Sequence, residues 1–338
     1  MTVQLQDRAE SGLLPVVTIL LATYNGERYL REQIDSLLAQ THPVRVLARD
    51  DGSRDGTVSI LRDYAERWPQ RFALLEDDSG TGHAKWNFLR LTDTAVQIPG
   101  IDYLAFADQD DVWMPEKIEL EMKAMRQLEK RYGATVPLLV FSDLSVVDAS
   151  LGMLHCSFWE DQRIDPRKIH RLRRLLAQNV VTGCTSVLNR PLAAMSLRMP
   201  PEAIMHDWWV ALLASAQGHA AFVREPLVLY RQHGRNAVGA PQGPRPSGMP
   251  KWRYHEKRRE QWELSEHQAA GLLRVHGAEL KARQRNLLEG YIRCEEHRNR
   301  WVRVLSWIAG GYFLNSWRAS LAILWYLWDM DAAKSQDA

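Results

Sequence analysis

Cysteine is scarce in this chain. Cys156, Cys184 and Cys294 are the only three in 338 residues, and no two have CxxC spacing. An odd, scattered set excludes a disulfide framework and a cysteine-built zinc cluster, and a reducing cytoplasm is the expected setting. Net charge is equally slight, Lys+Arg at 43 against Asp+Glu at 41 giving +2. No overall field attracts polyanions, so no nucleic-acid partner is expected. The loops that follow the apolar runs carry neither GxGxxG nor GxxxxGK[ST], which excludes the dinucleotide and P-loop ways of cradling phosphate. Residues 1–14 mix Asp7, Arg8 and Glu10 with short apolar pieces. They contain no h-region of signal-peptide length, so the main domain is expected to stay inside the cell. No internal repeat is visible.

What is present fits an ordinary globular chain, with 46% hydrophobic and 25% charged residues. The length exceeds the roughly 250 to 300 residues at which one core stops growing, so one main domain with a smaller appendage is expected. Residues 16–22 (VVTILLA) are continuously apolar and β-branched, as in a parallel strand covered on both faces, and run into the polar loop TYNGE. Leu30, Ile34, Leu37 and Leu38 then repeat at helical spacing, and the next apolar strand begins at Val44. The alternation continues with a helix over 57–67, a strand over 72–76, a helix over 85–97 and a strand over 103–107. A helix over 115–131 and a strand over 138–142 follow, with a less regular stretch to Trp159. Beyond it, 179–189 and 220–230 read as strands flanking a helix over 206–216. Such alternation predicts an α/β fold, a mostly parallel mixed sheet with helices on both faces. The Gly/Pro-rich stretch 234–250 is a breaker. The chain thus divides into a tail at 1–14, an α/β domain at 15–240, a linker at 241–250 and a helical, Trp-rich region at 251–338.

Ligands of open α/β sheets bind beyond the carboxyl ends of the strands. Four polar clusters fall there: Thr23-Tyr24-Asn25, Asp50-Asp51-Gly52-Ser53, Lys85-Trp86-Asn87 and Asp108-Gln109-Asp110-Asp111. The first two also read as a turn with a helix cap and as an Asx turn. An aromatic face and carboxylates suit a base and a ribose, which offer a π surface, N–H donors and hydroxyls. Asp108, Asp110 and Asp111 would repel one another at a strand end unless a cation were bound, and Mg²⁺ or Mn²⁺ typically combines one or two carboxylates with phosphate oxygens. Asp207 opens a helix at His206-Asp207-Trp208-Trp209, near the positive end of its macrodipole, where it reads equally as a cap. Arg231 and His233 follow a strand and offer a cation and an imidazole.

The order TYNGERYLREQIDSLLAQ, DDGSRDGT, ADQDDVWMPEKI, HDWW, YRQHGRNAVG resembles the family 2 glycosyltransferases of GT-A fold, and among them the bacterial rhamnosyltransferase-like group, over about residues 15–240. The resemblance implies a nucleotide-sugar half at about 15–115 and an acceptor half at about 116–240. Thr23, Tyr24 and Asn25 would line the base pocket, Asp51 would accept from the base, and Asp108 would meet the ribose. Glu27, Asp50, Lys85, Asn87, Gln109 and Arg231 complete the expected sugar-nucleotide set. Asp110 matches the last acidic position of the DXD motif and would hold the metal with His233, while Asp111 supports the loop. Asp207 matches the general base of an inverting displacement. Trp159, Thr182, Gly183 and Trp208 are candidates for lining the acceptor site, although Thr182-Gly183-Cys184 reads equally as a tight strand end and Trp208 as core. The sequence lacks the Q/RxxRW motif of processive polymerases, which implies transfer of a single sugar.

The implied donor is a nucleotide-diphosphate sugar, dTDP-L-rhamnose, and the implied acceptor is an O-antigen, capsule or lipid-linked glycan. A sugar nucleotidyltransferase would want the same kind of sheet but also a Gly-rich phosphate loop. A non-catalytic binding or scaffold protein derived from this fold would not need Asp110 and Asp207. The C-terminal region carries a basic cluster, Lys251, Arg253, Lys257, Arg258 and Arg259, and then Trp301, Trp307, Trp317, Trp325 and Trp328. As a membrane span, 304–328 would bury Asn315 and Arg318, the latter costing ~2.5 to 3.5 kcal/mol. The competing readings are packing on the catalytic domain, peripheral contact with the cytoplasmic face of the inner membrane through an amphipathic helix pair, and a homodimer contact.

Overall fold

The computed structural model describes residues 14–77, 80–233, 251–294, 297, 299–314 and 317–334, with side chains described for all of these except 251–255, 317–318 and 329–334. The 241–250 linker, residues 1–13 of the tail, Asn315 and the side chains of Lys251, Arg253, Trp317 and Arg318 lie outside the described residues.

Among the described residues one sheet holds Val17–Thr23 (β1), Val44–Asp50 (β2), Phe72–Leu74 (β3), Tyr103–Ala107 (β4), Val112–Trp113 (β5), Leu138–Val147 (β6), Met153–His155 (β7), Ser186–Asn189 (β8) and His219–Arg231 (β9). Its order is β3-β2-β1-β4-β8-β6-β9-β5, with β7 paired to β6. The first four strands by position are parallel, and β8 runs antiparallel to both β4 and β6. The helices are Leu30–Leu38 (α1), Thr57–Arg67 (α2), Ala84–Gln97 (α3), Lys117–Tyr132 (α4), Phe158–Asp161 (α5), Leu172–Ala177 (α6), Arg190–Ser196 (α7), His206–Gln217 (α8), Lys251–His276 (α9), Ala282–Ile292 (α10), Arg300–Gly310 (α11) and Trp317–Lys334 (α12).

Two compact units share this chain, and both are discontinuous in sequence. The first comprises 1–158, 181–197 and 218–240 and contains every strand; the second comprises 159–180, 198–217 and 241–338. The span 15–240 therefore contributes to both.

In the first unit β1 is buried on both faces, as its unbroken apolar run requires of a strand with parallel neighbours on either side. Helix α1 buries Leu30, Ile34 and Leu37 on one stripe, and α2 buries Ile60, Leu61 and Tyr64 in the same core. Strand β6 runs to Val147, past the expected end at Ser142, and all its residues are buried. The polar residues that break the apolar pattern there are satisfied inside: Ser157 donates to Asp143 at 2.5 Å and Ser145 to the Cys156 carbonyl at 2.8 Å. The strand expected over 179–189 is confined to Ser186–Asn189. A 3₁₀ turn, Gly183–Thr185, precedes it, because the Thr182 carbonyl takes both the N–H and the hydroxyl of Thr185, a local alternative to the ladder.

Helix α8 is buried nearly all round, as a central helix must be, with Trp209 fully enclosed in the second unit. The helical region expected at 251–338 breaks after His276 and again after Ile292. The Trp-dense stretch forms two helices, α11 and α12. Gly311, at φ 70°, ends α11 in the left-handed region that glycine enters without cost from a Cβ. Trp307 packs inside with Trp262 and Phe313, whereas Trp301 and Trp325 are exposed.

Behind β5, Lys117 and Glu121 of α4 form a fully buried ion pair at 2.7 Å, with the Lys117 ammonium 3.9 Å from the centre of the Trp113 ring. Burial outweighs the lysine and pushes the Glu121 carboxyl from 4.5 up to about 7. A carboxyl raised in the folded state binds a proton there that the unfolded chain has already released. The stability of wild-type protein should therefore fall as pH rises from about 4.5 to about 7, and Glu121→Gln should flatten that window. Urea midpoints measured across it check this; parallel profiles for the two proteins would refute it.

Candidate active site

The parallel register sets Thr23 beside Asp50 and Leu21 beside Ala107. The carboxyl ends of β1, β2 and β4 thus share one edge, at the place where the strand order reverses, and three of the expected polar clusters begin there.

Side-chain hydrogen bonds stitch the first two loops together. Asn25 sits at φ 49°, its N–H donating to Ser53 Oγ at 2.7 Å and its Oδ1 accepting from the Arg54 N–H at 2.8 Å. Asp50 accepts from the N–H groups of Gly52 and Ser53 and from the hydroxyls of Ser53 and Thr23. Its carboxylate is thus used by the turn, the Asx geometry its sequence permits. Glu27 accepts the Gly56 N–H at the start of α2, at 3.0 Å. Gln109 accepts the Tyr24 N–H at 2.8 Å and donates to its carbonyl at 2.9 Å. The Tyr24 ring remains 54% exposed.

A residue passed over in the sequence organises the next layer. Arg49 on β2, with no exposed surface, donates to Asp51 Oδ1 and Asn87 Oδ1, each at 3.0 Å, and to Asp77 at 3.2 Å. Asn87 is therefore an internal strut, 2% exposed. The available signal was a charged residue within the strand VRVLARD, directly after its apolar run. Asp51 also takes the Thr81 N–H on the same oxygen, at 2.5 Å, which leaves Oδ2 for an incoming donor. Thr81 lines a cavity of about 310 Å³ with Gly80, Trp86, Leu89 and Arg90. The Lys85 ammonium lies 4.9 Å from the Trp86 ring centre.

The acidic loop runs between β4 and β5. Asp110 Oδ2 lies 2.7 Å from His233 Nε2, both side chains partly exposed. Asp111 is buried; one oxygen takes the Arg231 N–H at 3.2 Å and Oδ2 makes no hydrogen bond. Burial first, then the charges of Asp110 and Asp108, hold its carboxyl well above the ordinary range. Asp108, Asp111 and the buried Cys184 each bring one ligand atom within 4.8 Å of the others. The donor set fits a divalent cation: a partly exposed carboxylate and imidazole at contact distance, beside clustered carboxylates with an orphaned oxygen. Asp110 and His233 are the accessible pair, a hard carboxylate beside a borderline imidazole; the Cys184 thiol is soft and enclosed.

Arg231, which the resemblance puts in the sugar-nucleotide set, does not face open space. Only 2% exposed, it donates to the carbonyls of Asp110 and Ala149, each at 2.8 Å, and to Glu32 at 2.5 Å, with its guanidinium 4.6 Å from the Tyr29 ring centre. It clamps the acidic loop to β9. Tyr29 in turn stacks on His233 at 4.9 Å, and Gln33 of α1 donates to the Asp108 carbonyl at 2.8 Å. Thr182 and Gly183 hold the turn before β8.

The remaining expected residues belong to the second unit. Asp207 lies in the first turn of α8, its Oδ1 accepting the Trp208 N–H at 2.6 Å. Trp208 is 5% exposed and donates from Nε1 to the Leu175 carbonyl, and Trp159 is 7% exposed. Both are packed aromatic residues.

The model of Glycosyl transferase family 2 matches residues 18–193, more than half of the chain. The chain belongs to that family. It is 26% identical over 229 residues to the dTDP-rhamnosyl transferase RfbG of Shigella flexneri, covering 65% of this chain and 74% of that protein. A Bacillus subtilis glycosyltransferase assigned to teichuronic acid biosynthesis, TuaG, is 26% identical over 223 residues, covering 64% and 79%. The crystal structure of S. aureus TarS residues 1–349 in complex with UDP-GlcNAc superposes with a TM-score of 0.52 at 14% identity, covering 87% of this chain and 79% of that one. The architecture is thus GT-A with a C-terminal helical region.

Proposed function

We propose that the protein is an inverting, metal-dependent glycosyltransferase that moves a single sugar, L-rhamnose from dTDP-L-rhamnose, onto a bacterial surface glycan such as an O-antigen, a capsule or a lipid-linked oligosaccharide. The observation that carries this reading is the acidic loop after β4, on the same sheet edge as Thr23 and Asp51, with Asp110 against His233. The rhamnosyl donor is supported by the similarity to RfbG, and the surface-glycan acceptor by that to TuaG.

In this reading Tyr24 offers its exposed ring to the base, Asp51 Oδ2 accepts a base N–H, and Asp108 meets the ribose hydroxyls. Asp110 and His233 would hold Mg²⁺ or Mn²⁺, which supplies charge stabilisation to the diphosphate. Asp207 accepts the proton of the acceptor hydroxyl as that oxygen forms its bond to the anomeric carbon, and the bond from that carbon to the diphosphate oxygen breaks on the opposite face. Arg231, Arg49 and Gln33 act on the loops that carry these groups.

Asp110→Ala should abolish the divalent-dependent part of donor binding, since it removes the one hard ligand of the accessible pair and leaves only the His233 imidazole. Calorimetry with Mn²⁺ and with chelator measures it, and equal affinities in wild type and variant would count against the assignment. The sugar is tested by thermal shift with Mn²⁺ over a panel of sugar nucleotides. dTDP-L-rhamnose should raise the midpoint most, because a ligand selective for the folded state stabilises it by mass action. A larger rise with a UDP sugar would overturn the rhamnosyl assignment.

A further inference from the structure

The outer face of α11 is apolar and uncovered. Trp301, Val302, Leu305 and Ile308 are 60%, 39%, 59% and 43% exposed. Their spacing of i, i+1, i+4 and i+7 places them on one side of the helix, opposite the buried Arg303 and Trp307. Helix α12, which packs on α11 through the edge of Trp301 against Trp328 at 4.5 Å, adds Leu321 and Trp325, each more than half exposed. Six large apolar side chains on two adjoining helices are too many to be scattered surface residues.

Charge identifies the occupant. From His297 to Trp328 the sequence holds Arg298, Arg300 and Arg318 besides the buried Arg303, and the nearest acidic residues, Glu295, Glu296, Asp329 and Asp331, fall outside that span. The Arg300 guanidinium lies 5.1 Å from the centre of the Trp328 ring, beside the apolar face. A two-fold contact between copies would set this acid-free, cationic stretch against itself, because an isologous interface uses the same patch twice. Anionic lipid headgroups complement it, and tryptophan side chains favour the headgroup zone. Among the described residues no helix is long and apolar enough to cross a membrane, so the face would lie along the surface.

We infer that the exposed face of α11, extended by Leu321 and Trp325 of α12, seats the protein on the surface of an anionic lipid bilayer. This holds whatever sugar is transferred and does not depend on the proposed reaction.

Co-sedimentation of the full chain tests it, with vesicles of phosphatidylglycerol and phosphatidylethanolamine against vesicles of phosphatidylcholine. The chain should pellet with the anionic vesicles, less so as salt is raised, and the double substitution Leu305→Gln/Ile308→Gln should weaken binding by about tenfold or more. Far-UV circular dichroism checks that the double variant keeps its helices; should it not, Trp325→Gln on α12 carries the same expectation. Equal pelleting of wild type and a folded variant, or no pelleting with anionic vesicles, would overturn the inference. A dimer seen by sedimentation velocity that the double substitution dissociates would overturn it too, since a second copy would then cover the face.

Discussion

Asp207→Asn is expected to leave sugar-nucleotide binding intact and to lower turnover by ~10²- to 10⁴-fold, the usual contribution of a positioned general base. Asparagine keeps the size of the side chain and can still accept the Trp208 N–H that fixes the first turn of α8. The helix should therefore persist while the proton acceptor disappears. Calorimetric donor affinity and single-turnover transfer rates, measured on the same preparation, separate the two properties. Comparable turnover in the two proteins would remove Asp207 from the role; a parallel loss of donor affinity would make it a binding residue instead.

Arg49→Met should destabilise the protein by ~3 to 5 kcal/mol, the range seen when one partner of a buried ion pair is removed. Methionine fills the stem's volume but leaves Asp51, 9% exposed, with the Thr81 N–H and without its cation, and it strips Asn87 of a donor. If the unpaired carboxylate causes the loss, Arg49→Met combined with Asp51→Asn should recover a good part of it. Urea midpoints of the three proteins decide the matter. A single variant as stable as wild type would show that the pair is not a structural element, and a double variant no better than the single would place the cost in packing.

The elements were legible where one local rule governs. The two-sided burial of β1 and the apolar stripes of α1 and α2 follow from period alone, and α2 and β4 have the bounds the pattern predicts. Strand β6 was less legible, because Asp143 and Ser145 look like loop residues until Ser157 and Cys156 are known to satisfy them. The site divides the same way. That carboxylates and an aromatic residue follow β1, β2 and β4 is visible in the sequence. Which of them remain available is not. Asp50, Glu27, Gln109 and Asn87 carry the right chemistry for a ligand but bind neighbouring backbone or Arg49.

What the sequence determined by itself was most of the longer strands and helices, though not β5, β7 or α5 to α7, together with the loops that follow the strands and the order of motifs that resembles one glycosyltransferase family. Hydrophobic periodicity and turn chemistry act over a few residues, so a linear reading captures them. Only the tertiary structure decided the partners of buried polar groups. Arg231 meets Glu32 across 199 positions and the Asp110 carbonyl across 121, and neither contact leaves a local trace. A buried donor must find an acceptor, but which one it finds depends on the strand and helix that fold against it.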